Sequence, residues 1–154
     1  MDSAVKMLAM EDADAFAVLT KEANSDSGGE GGHYHPYGAG EPLDPEVTAK
    51  RMRRTWALPL TEPGWRRTWG WFLGSRLVGS VTLYGGALRC ELHRCSLGMG
   101  VVPEHRGQGG GSELLRIVIG WCEAEPRLAW LELGVFSDNP AAARLYGRFG
   151  FEEY

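Results

Sequence analysis

A chain of 154 residues and 16.9 kDa has the length of one domain, 1–154, with enough material for a real core and no room for a second. Hydrophobic residues at 44%, charged residues at 23% and aromatics at 10% exclude a disordered or collagen-like chain. A formal charge of -4 and a pI near 5.6 exclude a broad basic field for nucleic acid, leave room for a local basic patch, and by themselves lean toward a cationic or amine substrate.

Val5 to Ala9 reads as a short strand, and Glu11 to Ala23 as a first helix with Ala15, Phe16, Val18 and Leu19 on one face. Glu11 or Asp12 serves its start, since acid suits the positive end of the helix dipole. The leading MDSAVKMLAMEDAD meets acid before any basic, long apolar leader, so the cytoplasm is the expected compartment. No run reaches the roughly 20 apolar residues that span a bilayer, and no membrane partner is expected. Asn24 to Gly40 (NSDSGGEGGHYHPYGAG) has neither period nor apolar spacing and reads as a long loop between two helices. His33 and His35 within it could share a metal in extended chain, but with no third ligand nearby no metal is expected.

Asp44-Pro45 is an N-cap followed by Pro at the first helical position, opening a helix through Lys50 to about Thr55. Its basic run Lys50 to Arg54 has two readings, a solvated helix face or a contact to phosphate or an acidic substrate. Arg67 to Leu73 and Leu77 to Tyr84 are aromatic and β-branched runs separated by Gly74-Ser75-Arg76, a hairpin signature. Cys90 to Val102 alternates again and ends at Pro103, completing a meander. Ser112 to Ala124, with Leu114, Leu115, Val118, Ile119 and Cys122 at spacings of three and four, predicts an amphipathic helix. Arg127 to Phe136 predicts a strand. Asp138-Asn139-Pro140 caps a helix that Gly150 stops, and Phe151 to Tyr154 begins a last strand. The order β-α-α-β-β-β-α-β-α-β, antiparallel in the middle with a strand-helix-strand unit near the end, predicts an α/β fold of the α+β kind with a mixed, mostly antiparallel sheet flanked by helices. Cys90, Cys95 and Cys122 are odd in number and lack zinc or CxxC spacing, so they read as reduced thiols.

Chemistry concentrates in Val101 to Ser112 (VVPEHRGQGGGS), where a strand feeds a loop with Gly107, Gly109, Gly110 and Gly111, and the loop opens into a helix. Free backbone N–H groups and the positive helix end then converge on one spot, which suits a phosphate approached without side-chain interference. The P-loop pattern is missing because no Lys follows the glycines, and the dinucleotide pattern fails because its third position is Ser112 and no opening βαβ unit precedes it. A tight strand-to-helix connection without ligand, or a nucleotide-phosphate binder of another kind, are the readings these residues leave open.

Arg106-x-x-Gly109-x-Gly111 between strand and helix resembles the pyrophosphate-arm motif of the GNAT superfamily, the N-acetyltransferases that use acetyl-CoA. Asn139 to Phe151 (NPAAARLYGRFGF) resembles that superfamily's later signature, in the family's order and with a helix and strand between the two blocks. The resemblance covers residues 90 to 154 well and the first 89 in pattern only.

It implies the following. Met99, Gly100 and Val101 would offer backbone groups to the acetyl carbonyl and the pantetheine arm, as an added strand does. Arg106, Gly107, Gln108, Gly109, Gly110, Gly111 and Ser112 would hold the pyrophosphate. Asn139 would contact the cofactor near its pantetheine end, and is equally a helix cap. Tyr146, two turns further along the same face, would protonate the departing thiolate, its other reading being a core aromatic. Relatives place a glutamate where this chain has Gly134, so the base does not carry over. Glu132 and His93 are the candidates, and either reads also as a surface or core residue. The reaction implied is direct transfer from acetyl-CoA to a primary amine on a small molecule or peptide, without metal, the alternative being an inactive acyl-CoA-binding regulatory module. His33, Tyr34, His35, Pro36 and Tyr37 fall where relatives shape the acceptor pocket, as a lid or as a surface loop. The family's final strand has no counterpart before the chain stops at Tyr154, and the edge so left invites pairing into a homodimer.

Overall fold

Alternation of aromatic and β-branched residues with small ones makes the centre of the molecule a sheet, and Gly74, at φ 60, supplies the left-handed dihedral that reverses the chain into its longest strand. The computed structural model describes residues 2–25, 43–137 and 139–154. Strands β1 (Ser3–Met7), β2 (Arg66–Leu73), β3 (Arg76–Gly85), β4 (Arg94–Val101) and β5 (Trp130–Glu132) lie in sequence order in one sheet. The first three pairings are antiparallel and β4–β5 is parallel. Helices α1 (Ala13–Ala23) and α2 (Pro45–Trp56) precede β2, α3 (Gly110–Ala124) joins β4 to β5, and α4 (Pro140–Arg148) follows β5.

Local chemistry accounts for the helix starts. The Asp44 carboxylate accepts from the Glu46 amide at 2.9 Å with Pro45 behind it, and Asn139 Oδ1 accepts from the Ala142 amide at 3.2 Å with Pro140 behind it. Asp12 acts one turn ahead of α1, where its carboxylate accepts from the Ala9 amide at 2.8 Å.

Period two splits the sheet into two unlike faces. Odd-numbered residues of β2, β3 and β4, among them Trp69, Trp71, Val81, Leu83 and Leu97, are buried against α3 and its surroundings. The ring of Trp69 meets Trp121 of α3 at 5.3 Å, and a Cβ on Gly110 would collide with Trp71, so glycine lets the helix start close to the sheet. Even-numbered residues face α1 and α2. Trp56 of α2 donates to Thr68 Oγ1 at 2.9 Å, and Thr68 and Thr82 share a hydroxyl bond of 2.9 Å. A Cβ on Gly100 would sit 3.4 Å from Ala23 of α1.

The fold class is as expected, with corrections in the C-terminal part. The strand expected over 127–136 is only Trp130–Glu132, because its pairing with β4 stops at Ser96↔Glu132. The strand expected over 151–154 does not form: those residues pair with no strand, and the Phe151 amide instead turns back to the Tyr146 carbonyl at 3.2 Å. The long strand begins at Arg94 rather than at Cys90, since Arg89–Glu91 forms a 3₁₀ turn. Cys90, Cys95 and Cys122 are free thiols, and Cys95 is pushed above the usual thiol range by its contact with Cys122 and then by burial, which keeps it neutral. The expectations attached to His33 through Tyr37 lie outside the described residues.

Candidate active site

Two positive-φ glycines, Gly107 at 74 and Gly109 at 87, bend the chain from the end of β4 into α3. The first backbone bond of the helix runs from the Glu113 amide to the Gly109 carbonyl at 3.1 Å. The amides from Gly107 to Ser112 therefore precede the helical ladder, and no acceptor meets them among the described residues. Gly107 and Gly109 have open space where a Cβ would stand, so the turn presents bare backbone. With the helix dipole behind them, these N–H groups form a cradle for an anion. Gln108 braces the turn, donating from Nε2 to the Glu104 carbonyl at 3.3 Å.

Arg106 is placed differently from the glycines beside it. Its Nε donates to the Val101 carbonyl at 2.9 Å, and another guanidinium nitrogen donates to the Ala23 carbonyl at 3.0 Å. The side chain thus ties the end of β4 to the C-terminus of α1 and sets the turn's position, with its charge close by.

The edge of β4 is the second component. The Val102 amide donates to the Val78 carbonyl at 3.0 Å, and the register Gly79↔Val101 makes Val102 and Val78 direct partners. Even-numbered residues of β4, Gly100 among them, therefore turn their backbone groups to β3, and Leu97, Met99 and Val101 turn theirs to the other side. There β5 pairs only with Arg94 to Ser96 and then leaves. The strands part beyond Ser96, and the amides of Met99 and Val101 line a gap that opens toward the turn. Of the three residues expected to contribute backbone groups, Met99 and Val101 face this gap and Gly100 does not; the Val101 carbonyl is held by Arg106.

Helix α4 closes the far side. A Cβ on Gly111 would lie 3.4 Å from Met99 Cε and 3.9 Å from Leu145 Cδ2, so the starts of α3 and the cleft edge of β4 meet α4 there. Tyr146, next to Leu145, is half-buried with its ring 5.8 Å from Phe151, and burial raises its hydroxyl above the usual tyrosine range. It stays protonated at neutral pH and is able to donate. The side chain of Asn139 is engaged in capping α4.

The two candidate bases separate. Glu132 ends β5 opposite Ser96, about 10 Å up the strand from Met99 at roughly 3.3 Å per residue. Its carboxylate pairs with Arg94 at 2.8 Å and accepts from the Tyr154 hydroxyl at 3.3 Å. His93 lies outside β4, exposed, six residues from Met99; among the described residues its one bond is through the backbone carbonyl, which accepts from the Ala129 amide at 2.7 Å. The tertiary structure does not bring it to the gap.

A cleft of about 460 Å3 lies between α1 and α2 and the even-numbered face of β3 and β4, reaching Met99 and Gly100. Tyr84 stands in its floor, and a Cβ on Gly98 would be 3.1 Å from that ring, so glycine lets the ring lie across the strand. Tyr84 also borders a second hollow with Ser96, Arg94, Glu132 and Tyr154. Sequence reasoning did not single out Tyr84; the pattern of Gly98 opposite Thr82, two pairs along from Tyr84 and so on the same face, is the signal that a side chain crosses there.

A turn of bare amides beside a sheet that opens between two parallel strands places an anion cradle at the mouth of a strand gap in a mixed α/β fold. The profile of the acetyltransferase (GNAT) domain matches residues 6–152, and the chain belongs to that family. Among solved structures, a GNAT-family acetyltransferase from Streptococcus pneumoniae superposes with a TM-score of 0.85 at 20% identity, over 99% of this chain and 86% of that one. The PaiA N-acetyltransferase of Thermoplasma acidophilum, solved with coenzyme A, gives 0.76 at 17% identity over 100% and 92% of the two chains. The putative acetyltransferase YncA of Salmonella typhimurium, solved with acetyl-CoA, gives 0.75 at 17% identity over 97% and 79%. No curated protein sequence matches the chain. Among the described residues no helix is long and apolar enough to cross a membrane.

Proposed function

We propose that this acetyltransferase moves an acetyl group from acetyl-CoA directly to a primary amine. The observation that carries the reading is the set of unsatisfied amides from Gly107 to Ser112 at the start of α3, adjoining the unpaired edge of β4. Those amides and the Ser112 hydroxyl would hold the diphosphate, and Leu97 and Met99 would pair with the pantetheine arm as a strand does. Acetyl-CoA supplies the acetyl group already activated as a thioester. An N–H on the β4 edge, that of Met99 or Val101, steadies the negative charge that grows on the carbonyl oxygen as the amine attacks. Asn139 holds the approach of the arm from the start of α4.

The bond formed is N–C and the bond broken is C–S. The acceptor sheds two protons from its ammonium form; Glu132 accepts one, directly or through water, and returns it to solvent. Tyr146 donates its proton to the departing sulfur and regains one from the nitrogen. Products are an acetamide, free CoA and one released proton, and no covalent enzyme intermediate is needed.

Calorimetric titration with CoA, followed by thiol release over a panel of amines, amino acids, polyamines, aminoglycosides and N-terminal peptides, tests the reading. Binding with release of thiol on adding an amine supports it. Binding without release on any member would favour a regulatory acyl-CoA-binding module, and no binding would overturn it.

A further inference from the structure

The described lining of this cleft is basic where the chain as a whole is acidic. Its described lining holds two arginines, Arg51 and Arg66, and one carboxylate, Asp44, within a molecule of net charge -4. Asp44 is already committed to the Glu46 amide as the cap of α2. Arg66 is fixed in place: its guanidinium lies 4.9 Å over the Tyr84 ring, and Nη1 is 3.4 Å from the Met52 sulfur. Arg51 neighbours Met52 on α2, and its guanidinium makes no hydrogen bond or ion pair among the described residues, whereas Arg53 on the same helix pairs with Asp14 at 2.9 Å. Of the basic run in this helix, one member is a solvated ion pair and another faces the cleft.

An arginine set on an aromatic face beside apolar walls is a preorganised seat for a carboxylate or phosphate-type oxyanion. The walls, Phe16, Leu19 and Met52, suit hydrocarbon, and the cleft runs to Met99 and Gly100. Arg66 stands opposite Tyr84 and Tyr84 opposite Ser96, three residues before Met99. The backbone positions of seat and transfer edge are therefore about 10 Å apart along the strands at roughly 3.3 Å per residue, and the Tyr84 ring under the Arg66 guanidinium reaches Gly98, next to Met99, which shortens the span toward that of a small amino acid.

We infer that the acceptor amine carries an anionic group, and that Arg51 and Arg66 bind this group while the amine reaches the edge of β4. The inference rests on the acetyl-transfer reading above and assigns its substrate class: apolar amino acids or their phosphonate counterparts, in place of the polyamines that net acidity alone would favour.

Matched acceptors test it, each offered as the free acid, the carboxamide and the aminophosphonate, at several amine-to-anion spacings, with thiol release from acetyl-CoA as readout. The acid is expected to exceed its amide in kcat/KM by about 10- to 100-fold, the range for a hydrogen bond to a charged group. Arg51→Gln and Arg66→Gln should each collapse that ratio toward unity, and Arg66→Lys should restore part of it. Arg51 is exposed, so its variant stays informative if loss of Arg66 disturbs packing on Tyr84. Whichever of carboxylate and phosphonate is faster identifies the source of the anion. An amide as good as its acid, or a ratio unmoved in both glutamine variants, overturns the inference and leaves acetyl transfer standing. If CoA binds but no acceptor releases thiol, acetyl transfer fails instead. Melting of the CoA-loaded protein then still reads the seat: stabilisation by acid over amide, lost in Arg51→Gln, upholds it, and equal melting with both sinks it.

Discussion

The same three strands build two opposite surfaces. Toward α3 they present Trp69, Trp71, Val81 and Leu97 in a packed apolar layer; toward α1 and α2 they present Thr68, Thr82, Ser80, Gly98 and Gly100, and the layer stays open as a cleft. Side-chain volume decides the difference. Large rings fill one side, whereas hydroxyls and glycines leave space on the other that α1 and α2 only partly cover. The packed face fixes where α3 begins, and through Gly110 against Trp71 it fixes where the unsatisfied amides point. The α3 side is thus filled by the sheet's own large rings and positions the amide cradle, whereas the α1 and α2 side combines buried helix residues, Phe16, Leu19, Met52 and Trp56, with an open cleft, and β4 serves both.

The sharpest way to break this contrast is Trp69→Ala, which empties a site that is 4% exposed. It should cost about 3–5 kcal/mol in urea denaturation, and a loss below about 1 kcal/mol would mean the tryptophan layer is not what holds the fold. Next in size, Tyr146→Phe should lower kcat by about 100-fold, the scale of a general acid, while the Kd for CoA stays within about twofold. The pH profile adds a signature. Burial raises this hydroxyl, so the wild-type activity should decline only above the ordinary tyrosine value of about 10, and the phenylalanine variant should lack that alkaline limb. The sign is the same for stability: with the folded-state value raised, the contribution is present below the unfolded value and is lost as pH rises through the folded one.

Gly109→Val tests the turn. Its φ of 87 is a conformation a β-branched residue adopts at a cost of about 1–2 kcal/mol, so CoA affinity should fall about 10-fold or more by calorimetry. The smallest effect is expected on the open face. Thr82→Val removes the bond to Thr68, whose oxygen still accepts from Trp56. A loss of about 1 kcal/mol in thermal melting would place the hydroxyl face well below the tryptophan face, and a loss matching Trp69→Ala would erase the distinction between them.

Much of the fold is legible in local patterns. Asp44-Pro45 and Asn139-Pro140 cap helices where expected, Gly74 turns the hairpin, and the glycines from 107 to 111 lie between a strand and a helix. Misreadings concentrate where pairing partners, not local preference, set the outcome. Leu131, Leu133 and Val135 alternate like a longer strand, yet β5 stops at Glu132 because β4 and β5 diverge there. Phe151 to Tyr154 has strand-forming residues but no strand beside it. The site divides in the same way. Backbone functions of the turn are visible as glycine spacing, since φ preference is a property of the residue itself. The value of a side chain such as Arg106 or His93 depends on what stands opposite: Arg106 bonds two carbonyls, and His93 lies outside the strand it was assigned to.

By itself the sequence determined the caps, the turns, the alternation that gives the sheet two faces, and the bare-backbone loop ahead of α3, because each follows from the conformational and hydrogen-bonding limits of a few adjacent residues. Only the tertiary structure decided the length of β5, the gap beyond Ser96 that leaves the amides of Met99 and Val101 facing no strand, and the facing of Arg51 and Arg66 into one cleft. Those features arise between segments distant in the chain, where register and packing, rather than local preference, select the lowest free energy.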